Sequence, residues 1–200
     1  LSDSGAGSLR NAIELANISG DLDTINFASG LSGTIKLLTA LPEISAPVSI
    51  NALASGQLAP SIQIDFANNP GISFGIGSNG SSLVGFSLVR ASGSALTLVG
   101  SGNIIQSNYI GVELDGSTVL ANQANGITIT ATSTGNLIGS STPGSSTSFN
   151  NLGQESGYDI DAIQGIRYGK TSGDYILCGT GSTQGGSGQG IGVVYVGAAD

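Results

Sequence analysis

Residues 95–130 read ALTLVGSGNIIQSNYIGVELDGSTVLANQANGITIT. This stretch consists of short apolar runs, each closed by Gly, Asn or Ser, and similar runs extend from Val48 to Gly139. The runs are, in order, VSIN, IQIDF, GISFG, SLVGFSL, ALTLVG, NIIQSNYIGV, GITIT and NLIG. Short strands at regular spacing, separated by turn residues, are typical of a repeating all-β architecture. We therefore predict a solenoid with two or three short strands in each coil of roughly 20 to 30 residues.

The composition supports an ordered β protein and excludes several classes of function. Of the 200 residues, 33 are Gly, 39% are hydrophobic and only 9% are charged, which disfavours long helices and disorder alike. The net charge of −8 argues against nucleic-acid binding, because it would repel phosphates. No apolar stretch approaches the roughly 20 residues that span a bilayer, so we expect no membrane insertion. Low charge and abundant Ser, Thr, Gly and Asn favour a secreted or cell-surface protein.

The first 24 residues break the β pattern and predict one short helix. Apolar side chains recur at i, i+3, i+4 and i+7, namely at Leu9, Ala12, Ile13 and Ala16. Ser8 is placed to cap the start of this helix, and residues 17–20 end it. Because the first coil of a solenoid exposes its interior and its backbone edge, we predict that this helix covers it, with Leu9 and Ile13 buried. Arg10 is expected to pair with Glu14 or another nearby acid.

Asparagines lie at the edges of the apolar runs. They are Asn103, Asn108, Asn122, Asn125 and Asn136. Asn tolerates the left-handed backbone conformation of a sharp corner, and stacked Asn side chains can form hydrogen bonds along the axis. Both features are therefore expected at the corners of the coils.

Two segments carry a resemblance to a known family. DSGAGSLRNAIELAN followed by DLDTINF resembles the N-terminal cap of bacterial extracellular right-handed parallel β-helix repeat proteins, and NIIQSNYIGVELDGSTVLANQANGITITATSTGNLIG resembles their coils. The resemblance covers roughly residues 1 to 150. It implies a right-handed parallel β-helix and an extracellular setting, but no single activity, since many members are surface scaffolds and some cleave polysaccharides.

The character of the chain changes after Pro143. A Ser-rich connector leads to three strand-like runs, YDIDAIQGIRYG, DYILCGTG and GIGVVYVG, which predict a small antiparallel meander. This segment also resembles a single blade of repeats found in exported bacterial proteins. We divide the chain into a cap at 1–24, a β-helix at 25–150 and a C-terminal appendage at 151–200.

The last run is the predicted assembly strand. It contains five apolar residues, Ile191, Val193, Val194, Tyr195 and Val196. Two arrangements remain open: the meander caps its own chain, or it pairs with a neighbouring copy by strand addition and produces a filament.

Few residues suit catalysis. The chain has no His and a single cysteine, Cys178, so neither a Ser–His–Asp triad nor an internal disulfide can form. Residues 75–80 fit G-x-G-x-x-G, but a strand follows where a dinucleotide site needs a helix. We predict no bound cofactor. Asp21 and Asp23 are expected to cap turns at the junction of cap and coil, and the alternative is that they hold a calcium ion.

The enzymatic alternative is polysaccharide cleavage, which needs paired acids or clustered acids with a base. Its candidates are Glu113 and Asp115, which stand two residues apart and could share a face. A groove lined by Tyr109, Asn108 and acids would instead favour carbohydrate binding. The leading expectation is non-enzymatic: an extracellular or cell-surface structural module that self-associates through its C-terminal strands. A carbohydrate-binding or adhesin module is the second hypothesis, and a polysaccharide lyase or hydrolase is the third.

Overall fold

The computed structural model describes residues 1–139 and, beyond them, the backbone of four strands at 151–152, 162–168, 175–182 and 189–196. One α-helix, α1, spans Leu9–Ser19. The strands of the first 139 residues are β1 Asp23–Asn26, β2 Gly33–Lys36, β3 Val48–Asn51, β4 Ile62–Asp65, β5 Ile72–Phe74, β6 Ser82–Val84, β7 Phe86–Val89, β8 Leu96–Leu98, β9 Ile104–Gln106, β10 Tyr109–Ile110, β11 Ile127–Ile129 and β12 Leu137–Ile138. The other four are β13 Asn151–Leu152, β14 Ala162–Tyr168, β15 Tyr175–Ser182 and β16 Gln189–Val196.

The strands form a parallel β-solenoid of about four turns, as predicted from the sequence. Sheet 1 has the strand order β1-β3-β6-β9-β12, sheet 2 the order β13-β10-β7-β4-β2, and sheet 3 the order β11-β8-β5. All pairings within these three sheets are parallel. A parallel bridge between Ile44 and Phe74 extends sheet 3 to the first coil. Successive strands along the chain therefore lie in different sheets, and each sheet gains one strand per turn.

The coils differ in length. Val48 and Ser81 occupy equivalent positions 33 residues apart, Ser81 and Asn103 are 22 apart, and Asn103 and Asn136 are again 33 apart. We number the coils from these positions as coil 1 (23–47), coil 2 (48–80), coil 3 (81–102) and coil 4 (103–135). The additional residues of the long coils lie in the connections between sheets.

The core is a column of inward-facing apolar side chains. In sheet 1, Ile50, Leu83 and Ile105 stack in register and are completely buried. In sheet 2, Ile64 stacks on Leu88 in the same way. The alternation between inward apolar and outward polar residues is the period-2 pattern of a half-buried strand.

Helix α1 covers the first coil, and its capping agrees with the prediction. The Ser8 hydroxyl accepts a hydrogen bond from the Asn11 amide at 3.2 Å, and Gly20 ends the helix in the left-handed conformation. Leu9 and Ile13 are buried in the same core cluster as the coils. The helix thereby covers the apolar interior of the first coil, which would otherwise be exposed at this end of the solenoid.

Arg10 joins the helix to the first coil. Its guanidinium pairs with Asp3 at 2.7 Å and donates to the carbonyl oxygens of Thr39 and Ala40. The expectation of a nearby acid is met by Asp3 and not by Glu14, because the side chain reaches down to coil 1 instead of running along the helix.

The corners of the solenoid are tied by side chains that accept backbone hydrogen bonds from the preceding coil. Ser81 accepts from the Val48 amide at 2.9 Å, Asn103 from Ser81 at 3.0 Å, and Asn136 from Asn103 at 2.9 Å. We call Ser81, Asn103 and Asn136 the corner column. Because these side chains are buried, each bond satisfies an amide that water could not reach.

Other asparagines bond in the same way at two further corners. Asn108 accepts from the Phe86 amide and Asn122 accepts from the Ala91 amide, at 3.0 and 2.8 Å. The predicted axial hydrogen bonds are thus present at four of the five asparagines, but they run from side chain to backbone, and Asn125 bonds instead to Thr128 in its own coil. The predicted left-handed conformation is wrong for these asparagines. Among non-glycine residues it occurs at Ala67, Asn68, Arg90 and Ser107 in the described part of the chain.

Beyond the solenoid, β14, β15 and β16 form a three-stranded antiparallel sheet in chain order. This is the predicted C-terminal meander.

Candidate functional site

The outer face of sheet 2 carries a polar strip that crosses four coils. Thr34, Gln63, Ser87 and Tyr109 stand next to one another in register. Thr34 donates to Gln63 at 2.9 Å, Gln63 donates to Ser87 at 3.3 Å, and Ser87 donates to the Val112 carbonyl at 2.8 Å. Gln63 and Ser87 are buried although they point away from the core. The middle of this polar strip is therefore covered on its outer side, whereas Thr34 at one end is exposed.

A hairpin at residues 111–120 provides part of that cover. Its two arms are joined by an antiparallel bridge between Val112 and Val119 and by a hydrogen bond from the Leu120 amide to the Gly111 carbonyl. Its turn packs on Tyr109: a Cβ atom at Gly116 would lie 3.1 to 3.3 Å from the tyrosine ring and hydroxyl. Gly116 also has a φ of +71°, so glycine fits both the backbone and the contact.

An ion pair lies beside the strip. Asp65, the last residue of β4, accepts hydrogen bonds from Nε and Nη2 of Arg90 in the next coil, the first at 2.8 Å. The amide of Ala67 donates to the same carboxylate at 2.9 Å. The Asp65 side chain is 6% exposed and the Arg90 side chain is 44% exposed. The pair thus ties coil 2 to coil 3 with its cationic end at the surface.

The pKa of Asp65 lies below its ordinary value. Burial acts to raise the pKa, but the hydrogen bonds from Arg90 and the Ala67 amide, together with the charges of Arg90 and Lys36, outweigh it. The hydrogen bond and charge of Asp65 in turn raise the pKa of Arg90, and Glu113 contributes in the same direction. Both members of the pair are consequently ionised at neutral pH.

The two predicted acids, Glu113 and Asp115, both lie on the hairpin but in different settings. Asp115 is exposed and accepts hydrogen bonds within its own turn, from the amides of Ser117 and Thr118 and from the Thr118 hydroxyl. These bonds, that of the Thr118 hydroxyl first, lower the pKa of Asp115 to about 2. Glu113 is half-buried, and its negative charge contributes to raising the pKa of Arg90. Asp115 therefore stabilises the turn as an anion.

The predicted binding groove is only partly assembled. Tyr109 lies half-buried on the outer face, as a binding residue would. Asn108 is completely buried, accepts from Phe86 and donates to the Leu83 carbonyl at 3.0 Å. Its inclusion in a surface groove is wrong, because period-2 alternation turns Asn108 inward when Tyr109 faces out.

Asp21 and Asp23 lie at the junction of helix and solenoid. Asp23 accepts a hydrogen bond from the hydroxyl of Ser19, the last residue of α1, while Asp21 is exposed. This contact agrees with the turn-capping expectation for Asp23. Among the residues that the structure describes, no three His, Cys, Asp or Glu side chains cluster in a way that could hold a metal ion.

The predicted assembly residues lie in β16, whose backbone pairs with β15. Ile191 is opposite Thr180, Val193 is opposite Cys178, and the register continues to Val196 opposite Tyr175. The side chains of Ile191, Val193, Val194, Tyr195 and Val196 lie outside the described part of the structure.

Gln63, Ser87 and Arg90 were not singled out as one site by sequence reasoning. Gln63 and Ser87 alternate with buried apolar residues, which predicts an outward side chain but not its partner. The partners lie 24 and 25 residues apart along the chain, a spacing set by coil lengths that vary. Their only sequence signal is a polar residue at the same point of consecutive runs.

Comparisons with protein-family models, curated proteins and solved structures found no match. Within the described residues, no helix has both the length and the apolar character needed to cross a membrane.

Proposed function

We propose that this chain is a structural module of an exported or cell-surface protein and that it serves as a rigid rod. The observation that carries the proposal is the use of polar side chains to bond one coil to the next. The corner column, the polar strip on sheet 2 and the Asp65–Arg90 pair all join neighbouring coils. Because these polar side chains bond to the neighbouring coil, they resist separation of the coils, and a scaffold requires such resistance.

The lowered pKa values of two acids, Asp65 and Asp115, support the same proposal. A general acid works best when its pKa is raised towards the working pH. The pKa values of Asp65 and Asp115 are instead lowered, and the hydrogen bonds that lower them hold each carboxylate in place. Both acids are thus better suited to stabilising local structure than to donating protons.

The setting is proposed from the sequence. The resemblance of the cap and coil segments to bacterial extracellular parallel β-helix repeat proteins supports an extracellular location, and a cap helix on parallel coils is the fold that this resemblance implies. Self-association through the C-terminal strands would extend the rod into a filament or a surface array.

A turnover assay tests the structural role. The intact chain is incubated with a panel of acidic polysaccharides in the presence of calcium, and reducing ends and unsaturated uronates are measured. We expect both signals to stay at the level of a buffer control. Cleavage that is lost in Glu113→Gln or Asp115→Asn, with circular dichroism unchanged, would contradict the proposal and support the lyase or hydrolase alternative.

Carbohydrate binding is the second candidate, favoured by one observation. Tyr109 is half-buried on the outer face of sheet 2, and the partly exposed Arg90 follows β7, a strand of the same sheet. Ligand sites commonly combine an aromatic side chain with a small number of polar groups. Calorimetry with the same polysaccharides tests this candidate. Binding without turnover that is abolished by Tyr109→Ala, but not by Leu58→Ala at an exposed apolar residue, would support an adhesin-like module.

A further inference from the structure

Two Asn-Gly pairs occur in the fully described part of the chain, at Asn79–Gly80 and Asn125–Gly126. In such a pair the backbone nitrogen of the glycine can attack Cγ of the asparagine side chain. A C–N bond forms, the side-chain amide leaves as ammonia, and a succinimide results. Water then opens this ring to give aspartate or isoaspartate. Glycine favours the reaction because it lacks the side chain that would hinder the attack.

The fold restrains both partners of this reaction at Asn79–Gly80. The amide of Gly80 donates to the Ser101 carbonyl in the next coil at 3.0 Å. The side-chain oxygen of Asn79 accepts from the Ser101 amide at 2.7 Å. For the ring to close, the attacking nitrogen would have to give up its acceptor and the side chain would have to leave its donor. Ser101 thus restrains both the nucleophile and the electrophile.

The corresponding bonds are missing at Asn125–Gly126. Among the residues that the structure describes, the Gly126 amide has no hydrogen-bond acceptor. The Asn125 side chain is exposed, and its amide makes a single long hydrogen bond, to Thr128 at 3.3 Å. The backbone here bonds through carbonyl oxygens, which accept from Ala95 and Leu96 at 3.1 Å each. Those bonds hold the backbone by its oxygens, and the attacking N–H has no acceptor to give up among the described residues.

We propose that Asn125–Gly126 is a site of spontaneous deamidation in the folded protein and that Asn79–Gly80 is protected from the same reaction. The modification needs only water and the chain's own backbone. It adds one negative charge to a chain that already carries −8. The isoaspartate product also inserts an additional methylene group into the backbone next to β11. Because Ala95 and Leu96 bond to this point, modification would loosen the start of the β8–β11 pairing.

Peptide mapping by mass spectrometry tests the proposal on the intact chain. The folded protein is incubated at mildly alkaline pH, and the conversion of each amide to a carboxyl group is followed in the two peptides. Two hydrogen bonds must open at Asn79 and only one long bond at Asn125, so we expect Asn125 to react faster by on the order of tenfold. Equal rates at the two sites, or an Asn125 that stays intact while Asn79 reacts, would overturn the proposal.

The same measurement in concentrated urea separates the effect of fold from that of local sequence. Unfolding removes the Ser101 bonds, so the two rates should converge. A tenfold difference that persists in urea would mean that neighbouring residues cause it, which would also overturn the proposal. Gly126→Ala serves as the site-specific control: it should slow the reaction at residue 125 and leave Asn79 unchanged.

Discussion

The Asp65 carboxylate is nearly enclosed, and its contribution to stability depends on its negative charge. In the folded chain its pKa is lowered, so between its folded and unfolded pKa the native state binds fewer protons than the unfolded state. Stability therefore rises with pH across this window, and the stabilising contribution of Asp65 is fully present above the ordinary pKa of 3.8. On acidification the contribution is lost as the pH falls through the folded pKa.

Asp65→Asn keeps the shape of the side chain and removes this charge. We expect the variant to lose about 2 kcal/mol of unfolding free energy at neutral pH, because hydrogen bonds to a charged group are replaced by weaker ones. Its stability should also change less than that of the wild type between neutral pH and pH values below the ordinary pKa. Urea unfolding at a series of pH values measures both effects.

The matched control is Asp21→Asn, which removes an exposed carboxylate at the helix–solenoid junction. It should have the neutral-pH stability of the wild type. If Asp65→Asn behaved as Asp21→Asn does, the Asp65–Arg90 pair would not contribute to stability.

The corner residues illustrate what sequence reasoning can and cannot predict at this scale. Asn103, Asn108 and Asn136 were correctly placed at corners with axial hydrogen bonds, because Asn competes well for backbone groups. Their backbone conformation was wrongly predicted, since each side chain turns inward to accept an amide. The left-handed residue at one of these corners is Ser107, one position before Asn108.

At the scale of elements, α1 is a cap whose two faces differ sharply. Ile13 is completely buried against the coils, whereas Leu15, two residues later, is 60% exposed. The helix spans only 11 residues, so it would be marginal in isolation and relies on this contact. The period of its apolar residues was sufficient to predict both the helix and its buried face.

Ile13→Asp would bury an unpaired charge between the cap and the first coil. We expect a loss of about 3 to 5 kcal/mol and, because the coil edge becomes accessible, self-association. Leu15→Asp places the same charge on the exposed face and should remain close to the wild type. Thermal unfolding and sedimentation velocity measure the two outcomes. An Ile13→Asp variant that is monomeric with unchanged thermal stability would show that α1 does not act as a cap.

The hairpin at 111–120 is an element that was not predicted from the sequence. Its Asp-Gly-Ser-Thr turn is recognisable at residues 115–118, since Asp and Gly favour tight turns. Its position over Ser87 is a tertiary contact across 25 residues. No local pattern encodes that contact, which is why the covered strip on sheet 2 was missed.

At the scale of the whole molecule, different elements follow the two ends of the solenoid. The first coil is closed by α1, while the chain after the last coil continues to the antiparallel sheet of β14, β15 and β16. Within that sheet β16 pairs with β15 alone among the described strands. An edge strand rich in Val and Ile is a natural partner for another strand, which is the basis of the proposed assembly.

Removal of residues 153–200 tests this assembly while retaining β13, which pairs with β10. We expect the intact chain to form larger species at high concentration and the shortened chain to sediment as a monomer. Circular dichroism and thermal unfolding of the shortened chain establish that its solenoid remains folded. An intact chain that is strictly monomeric at the highest concentration would refute the filament and leave the meander as a cap of its own chain.

The solenoid itself was predictable because its signal repeats. Each short run that alternates or ends at Gly or Asn became a strand, and the repetition compensates for the weakness of any one run. The lateral neighbours were not predictable, since coils of 22 and 33 residues alternate. A shift of one residue in this count would reverse which side chains face out.

The corner column has a consequence for how such a gene can change in length. The equivalent positions in successive coils are Val48, Ser81, Asn103 and Asn136. A deletion or duplication that runs from one of them to the next therefore joins the end of one coil to the start of another at the same corner. Loss of residues 81–102 would place Asn103 where Ser81 now accepts the Val48 amide, and the corner bond would form again. Recombination between equivalent corners would therefore shorten or lengthen the rod in steps of about 4.8 Å, one coil at a time, whereas insertions of other lengths would be confined to the connections between sheets.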